Sequence, residues 1–233
     1  MINRDFDNFD DHAETYREIH DKSISLSGTN SEYFSEYKII ELAKFENKKS
    51  KFSFLDFGCG DGNSSKFISR IFQNSMIRGI DVSVKSIEEA KEKKLDNCIF
   101  SSFNGTVIPF ENNSFDIIFT SMVFHHISFD LHSTILNELY RVLKPGGRFY
   151  IFEHNPYNPL TRKVVRECPF DQDAVLLKPN YALKTITKAN FKELILNFTI
   201  FIPRIKIFNW FIKLESLFRK IPVGAQYYIR AIK

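Results

Sequence analysis

Eight consecutive residues, Leu55-Asp56-Phe57-Gly58-Cys59-Gly60-Asp61-Gly62, carry the first chemistry readable in this chain. Three glycines at alternate positions keep a short turn free of Cβ atoms, so backbone N–H groups can approach a ligand closely. The spacing departs from a dinucleotide fingerprint, which needs glycine at 58, 60 and 63, because position 63 is asparagine. A second acid, Asp81, follows Gly79-Ile80, and a carboxylate acts only as an acceptor. Groups able to take a proton come later, as His125, His126, Glu153 and His154. His154 is the expected base, because it leaves an apolar run just ahead of Pro156 and Pro159, which fix the direction of exit.

These residues need elements to position them. From Lys51 onward, short apolar runs alternate with polar helical stretches, the βαβ pattern of a mostly parallel sheet. The runs cover 52–57, 77–80, 97–101, 115–121 and 147–152, with helices expected over 63–73, 84–94 and 130–143. The glycine turn thus falls between the first strand and the first helix of the sheet, beside the crevice where open α/β sheets bind ligands. Residues 13–48 read as two helices with a break near Ser27-Gly28-Thr29-Asn30, and residues 1–50 are expected to form a helical cap. The main domain is then 51–233, with insertions at 155–187 and 203–222. A helix is expected at 188–197, a strand at 198–202, and a last strand at 226–232 that pairs antiparallel with it.

Composition removes several classes. The 233 residues are 43% apolar and 26% charged, too apolar for a disordered chain. Cys59, Cys98 and Cys168 are an odd count without CxxC spacing, which argues against a disulfide framework and a cysteine-rich metal site; no metal is expected. The acidic start, with Asp5, Asp7, Asp10 and Asp11, is unlike a signal peptide, and no uncharged apolar run nears the roughly 20 residues of a membrane span, so a cytoplasmic location is expected. A net charge of +4 is too small to argue for nucleic acid as a partner.

Five segments together resemble the class I S-adenosylmethionine-dependent methyltransferases: Asp56 with the glycines at 58, 60 and 62; Gly79 to Ser83; Ser102 to Phe110; Asn113 to Phe119 running into Phe124-His125-His126-Ile127; and Leu139 to Gly147. The resemblance spans about 52–155 and implies a Rossmann-like α/β fold, a seven-stranded mostly parallel sheet with an antiparallel last strand and helices on both faces. It implies S-adenosylmethionine as cofactor and S-adenosylhomocysteine as product. The cofactor-binding residues it points to are Asp56, Gly58, Cys59, Gly60, Asp81, Val82, Asn104, Gly105 and Ser121. Asp81 would accept from the two ribose hydroxyls, and Asn104, standing where the family often has Asp, would accept from the adenine amino group. His125 and His126 match a histidine position that the family commonly uses for packing.

The implied activity is methyl transfer to an oxygen, less readily to nitrogen or carbon, of a small-molecule or lipid-linked acceptor. No Asn-Pro-Pro-Tyr follows the fourth strand, where Phe119-Thr120-Ser121-Met122 stands, and no Pro-Cys pair is placed for attack on cytosine. Residues 204–220, with the only tryptophan, would as a helix carry an apolar stripe and a separate stripe of Lys206, Lys213 and Lys220. That pattern suits a lid, a dimer helix or a peripheral membrane contact, and its basic residues, with Arg162, Lys163 and Arg166, could meet a phosphorylated acceptor. A different class also stays open: a non-catalytic subunit that binds the cofactor or a nucleotide in support of a partner.

Overall fold

Apolar runs bounded by glycine, asparagine and serine form the strands, and the amphipathic stretches between them form the helices, in a computed structural model that describes residues 31–168, 174–201 and 217–233. The elements in chain order are α1 (Ser31–Leu42), β1 (Ser53–Phe57), α2 (Asn63–Ile71), β2 (Met76–Asp81), α3 (Val84–Glu92), β3 (Cys98–Ser102), β4 (Phe115–Ser121), α4 (His132–Val142), β5 (Leu143–His154), α5 (Pro159–Glu167), α6 (Pro179–Lys188), β6 (Lys192–Thr199) and β7 (Gln226–Ile232), with a short 3-10 turn at Phe124–His126. They build one seven-stranded sheet in the order β3-β2-β1-β4-β5-β7-β6. Neighbouring strands from β3 through β5 are parallel, and β7 runs antiparallel to both β5 and β6. The strand order reverses at β1, which lies between β2 and β4, and this is where an open sheet leaves a crevice at its carboxyl ends.

Both faces of the sheet are covered, so the central strands are apolar almost throughout rather than alternating. On one face Leu55, Phe57, Ile118, Phe149 and Ile151 pack against Leu136 and Leu139 of α4 and Ile186 of α6. On the other, Phe54, Ile117, Phe119, Phe152 and Tyr228 pack against Ile39 and Leu42 of α1 and Phe67 and Ile68 of α2.

The region after β5 differs from the sequence-based expectation. The helix expected at 188–197 lies upstream, at Pro179–Lys188, and residues 192–199 are strand. Pro179 sits in the first turn of α6, where its missing N–H costs nothing, and Asn190 turns the chain through φ +70° soon after the helix ends. Leu194, Leu196 and Phe198 then face the core on alternate positions, a period of two that suits pairing with β7. Pro159 likewise opens α5, whose Asn158 side chain accepts from Thr161 N at 3.0 Å, within a stretch that read as irregular. Residues 1–30 of the expected cap and all but 217–220 of the basic-apolar segment lie outside the described residues.

Charge as well as apolar area holds α1 in place. Just past its end, Glu46 is nearly buried and accepts from Arg148 Nε (3.0 Å), Arg148 Nη2 (2.5 Å) and the Tyr150 hydroxyl (2.6 Å). Arg230 Nε on β7 donates in turn to the Tyr150 oxygen at 3.2 Å. Within the helix, buried Glu41 pairs with Arg219 Nη2 at 3.0 Å. Breaking such a cluster leaves cations without their counter-ion, so Glu46→Gln should lower the unfolding free energy by about 3 kcal/mol. Urea denaturation measures this, and an unchanged midpoint would show that the cluster does not hold the helix.

Candidate functional site

The glycine turn is built by its own backbone. Gly58 N and Cys59 N both donate to Ile80 O, at 2.8 and 3.0 Å, which folds the end of β1 onto the end of β2. Gly60 N donates to Asp81 Oδ2 at 2.8 Å, and Ser83 N donates to Asp81 Oδ1 at 3.0 Å. The Asp81 carboxylate, an acceptor on both oxygens, therefore organises the turn. Two glycines are required for different reasons. At Gly58 (φ +70°) a Cβ would lie 2.3 Å from Val123 Cγ2, so packing excludes any side chain. At Gly60 (φ +52°) a Cβ would meet nothing within 4 Å among the described residues, so no described side chain covers this backbone.

Beneath the turn, Asp56 is buried and accepts from Ser65 Oγ at 2.6 Å. Burial pushes its carboxyl up to about 7; the Ser65 hydroxyl opposes that, and the charges of Asp81 and Asp61 reinforce it. Buried Cys59 follows, its thiol raised well above the ordinary range by burial, then by Asp56 and Asp81, so it lines the turn as a neutral group. Val82 is half-buried after Asp81. Phe103 N donates to Asp81 O at 3.1 Å, which sets the Asn104-Gly105 turn beside the same strand end.

The Asn104 side chain does not stand as the sequence suggested. Its Oδ1 accepts from Thr106 N (3.1 Å), Thr106 Oγ1 (3.2 Å) and Val107 N (3.0 Å), so its lone pairs serve its own turn.

At the carboxyl ends of β4 and β5 stands a second group of side chains. Fully buried Glu153 accepts from Phe124 N at 2.9 Å through Oε1, and its Oε2 lies 2.6 Å from His125 Nδ1. A proton on Nδ1 directs the acceptor nitrogen of that imidazole away from the carboxylate. The His154 ring lies 5.3 Å from that of His125, and the His126 ring 4.1 Å from it. Ser121, half-buried at the end of β4, accepts from Lys38 Nζ of α1 at 2.7 Å. Neither the Glu153–His125 pair nor Lys38 was anticipated. Glu153 and His125 were legible only as separate candidates, and nothing in the polar run of α1 distinguishes Lys38 from a solvated lysine.

With this geometry in place, the comparisons with known proteins are specific. The methyltransferase domain family matches residues 55–151. A malonyl-[acyl-carrier protein] O-methyltransferase of Ilyobacter polytropus is 30% identical over 174 residues, 71% of this chain and 62% of that protein. A demethylmenaquinone methyltransferase of Oceanobacillus iheyensis is 33% identical over 104 residues, 42% of this chain and 43% of its own. The crystal structure of a SAM-dependent methyltransferase from Thermotoga maritima superposes with a TM-score of 0.71 at 18% identity, covering 99% of this chain and all of that one, which shows the fold. Residues 55–151 form a methyltransferase domain of the class I S-adenosylmethionine-dependent kind. The chain matches 62% of the length of the first of these curated relatives and 43% of the second.

The cofactor of this family fits the residues present. An adenosyl group needs an acceptor for its sugar and an approach to backbone unobstructed by side chains; the Asp81 oxygens and the Gly60 backbone, which no described side chain covers, offer both. Asp56 makes a separate prediction about pH. Its folded-state pKa of about 7 lies above the ordinary 3.8, so the native state holds a proton that the unfolded chain releases. Its stabilising contribution is complete below about pH 4 and is lost as pH rises through about 7. Asp56→Asn, which keeps an acceptor for Ser65, should remove this loss; thermal melts at pH 5 and pH 8 should show a larger decline for the native chain than for the variant.

Proposed function

We propose that the chain transfers a methyl group from S-adenosylmethionine to an oxygen of a small or carrier-linked acceptor. The observation that carries the reading is the Gly60–Asp81 hydrogen bond, which joins an open glycine backbone to a carboxylate at the sheet's reversal point. Asp81 holds the ribose hydroxyls, Gly58, Cys59 and Gly60 form the wall along the nucleoside, and Val82 with the Asn104-Gly105 backbone flanks the base. Asp56, held by Ser65, supports the turn from below, and Ser121 borders the far end of the same crevice.

The sulfonium supplies a methyl carbon already activated toward displacement, so this chain's own part is alignment, exclusion of water and removal of a proton. His154, beside the dyad of His125 and Glu153, is the group in this reading that accepts the proton of an acceptor hydroxyl. The dyad itself orients the imidazoles, because Glu153 is held by a backbone N–H and cannot turn away. Curated relatives named for malonyl-[acyl-carrier protein] and demethylmenaquinone support a carrier-linked or quinone-type acceptor, the first of them named an O-methyltransferase. Among the described residues no helix is long and apolar enough to cross a membrane, and no cluster of His, Cys, Asp or Glu could hold a metal ion.

Two measurements test the reading. Asp81→Ala should weaken S-adenosylhomocysteine binding about 10-fold or more by calorimetry, the loss expected for hydrogen bonds to a charged group. Unchanged affinity would remove Asp81 from the site. In a screen of acceptors with labelled methyl donor, His154→Ala should lower turnover about 100-fold at saturating cofactor while leaving cofactor affinity within twofold. Equal turnover would assign His154 to structure, and binding without any transfer would favour a non-catalytic subunit.

A further inference from the structure

Among the described residues, Lys38 of α1 reaches this crevice from outside the sheet, through its bond to Ser121 at the end of β4. Its residue is only 6% exposed, on the inner face of α1 between the sheet and the helix. Its ammonium has three N–H donors, yet among the described residues its hydrogen-bonded partner is a single neutral hydroxyl, Ser121 Oγ at 2.7 Å. Among the described residues the carboxylate that acts on it is Glu153, whose two oxygens are engaged by Phe124 N and His125. Removing a cation from water without a partner is costly, and here the cost appears as a pKa lowered by burial to about 8, only partly offset by Glu153. The group still carries a proton at neutral pH.

Its position is not accidental. Ser121 ends β4, and the adjoining residue Thr120 pairs with Phe57, the last residue before the glycine turn. Lys38 therefore stands one strand across from that turn, at the end of the crevice away from Asp81. The helix that carries it is held there by the ion pairs of Glu41 and Glu46. We propose that Lys38 is the carboxylate-binding residue of the crevice. One ammonium beside one hydroxyl matches a single negative charge; a phosphate would call for more charge or for the fork of an arginine. A carboxylate could come from either of two sources, the amino-acid end of the cofactor or an acidic acceptor, and the inference rests on the cofactor reading given above.

Calorimetry on the full chain separates them. S-adenosylhomocysteine and 5′-methylthioadenosine share nucleoside and thioether, and only the first has an amino-acid end. If the cofactor's carboxylate is bound, Lys38→Met should weaken S-adenosylhomocysteine about 30-fold or more, leave 5′-methylthioadenosine within twofold, and be largely rescued by Lys38→Arg. If the acceptor's carboxylate is bound, both nucleosides should bind the variant normally, whereas malonate, used as a carboxylate probe, should bind the S-adenosylhomocysteine-loaded native chain and not the loaded variant. Loss of both nucleosides in equal measure, or no change for any of the three probes, would overturn the proposal. Should Lys38→Met fail to fold, the native chain still decides: equal affinity for the two nucleosides together with no malonate binding would overturn it. Failure of both nucleosides to bind the native chain would instead defeat the cofactor reading itself.

Discussion

A single carboxylate ties this sheet's two central features together. Asp81 ends β2, accepts from Gly60 of the turn after β1 and from Ser83 at the start of α3, and so joins two βα turns that the strand order merely places side by side. Backbone pairing alone would leave the turn after β1 free to bend, because three of its residues lack side chains. The cross-link converts a flexible glycine segment into a fixed surface of N–H groups. The site's rigidity thus comes from polar contacts at the strand ends, and the sheet beneath supplies the platform.

The second level of organisation is the covering of that platform by α1. The helix has apolar Ile39 and Leu42 on its buried face, but the same face carries Lys38 and Glu41, an unusual load of charge for a packed helix. Each acid here is answered by a cation from a distant part of the chain: Glu41 by Arg219, Glu46 by Arg148. Pairs of this kind stabilise little in total, yet they penalise every arrangement in which one member lies buried alone. They therefore select one seat for the helix among the several that apolar packing would allow.

This division explains what was legible in the sequence. The parallel half of the sheet was readable because each strand and helix is bounded by local signals, and the contact between the glycine turn and Asp81 follows from adjacency of β1 and β2. The helix and strand after β5 were displaced in the expectation because proline was taken to break structure where Pro159 and Pro179 instead begin helices. Position 104 was judged by residue type, which does not show that its Oδ1 accepts from three donors of its own turn. Lys38 gave no signal because its place depends on where α1 lands, and that is set in part by Arg148, 102 residues from Glu46. Information of that range is not carried by periodicity or by motif.

The placement of β7 between β5 and β6 has a consequence for synthesis on the ribosome. Strands β2 to β5 can each join a neighbour already made, but among the described strands β6 pairs with β7 alone, which begins at Gln226, well after β6 has ended at Thr199. Until then Leu194, Leu196 and Phe198 have an unzipped edge beside them, and the flank of β5 is equally bare. Nascent chains at that stage would offer two sticky borders to one another or to a chaperone, so the interval before Gln226 appears is the period in which this molecule is most open to misassembly.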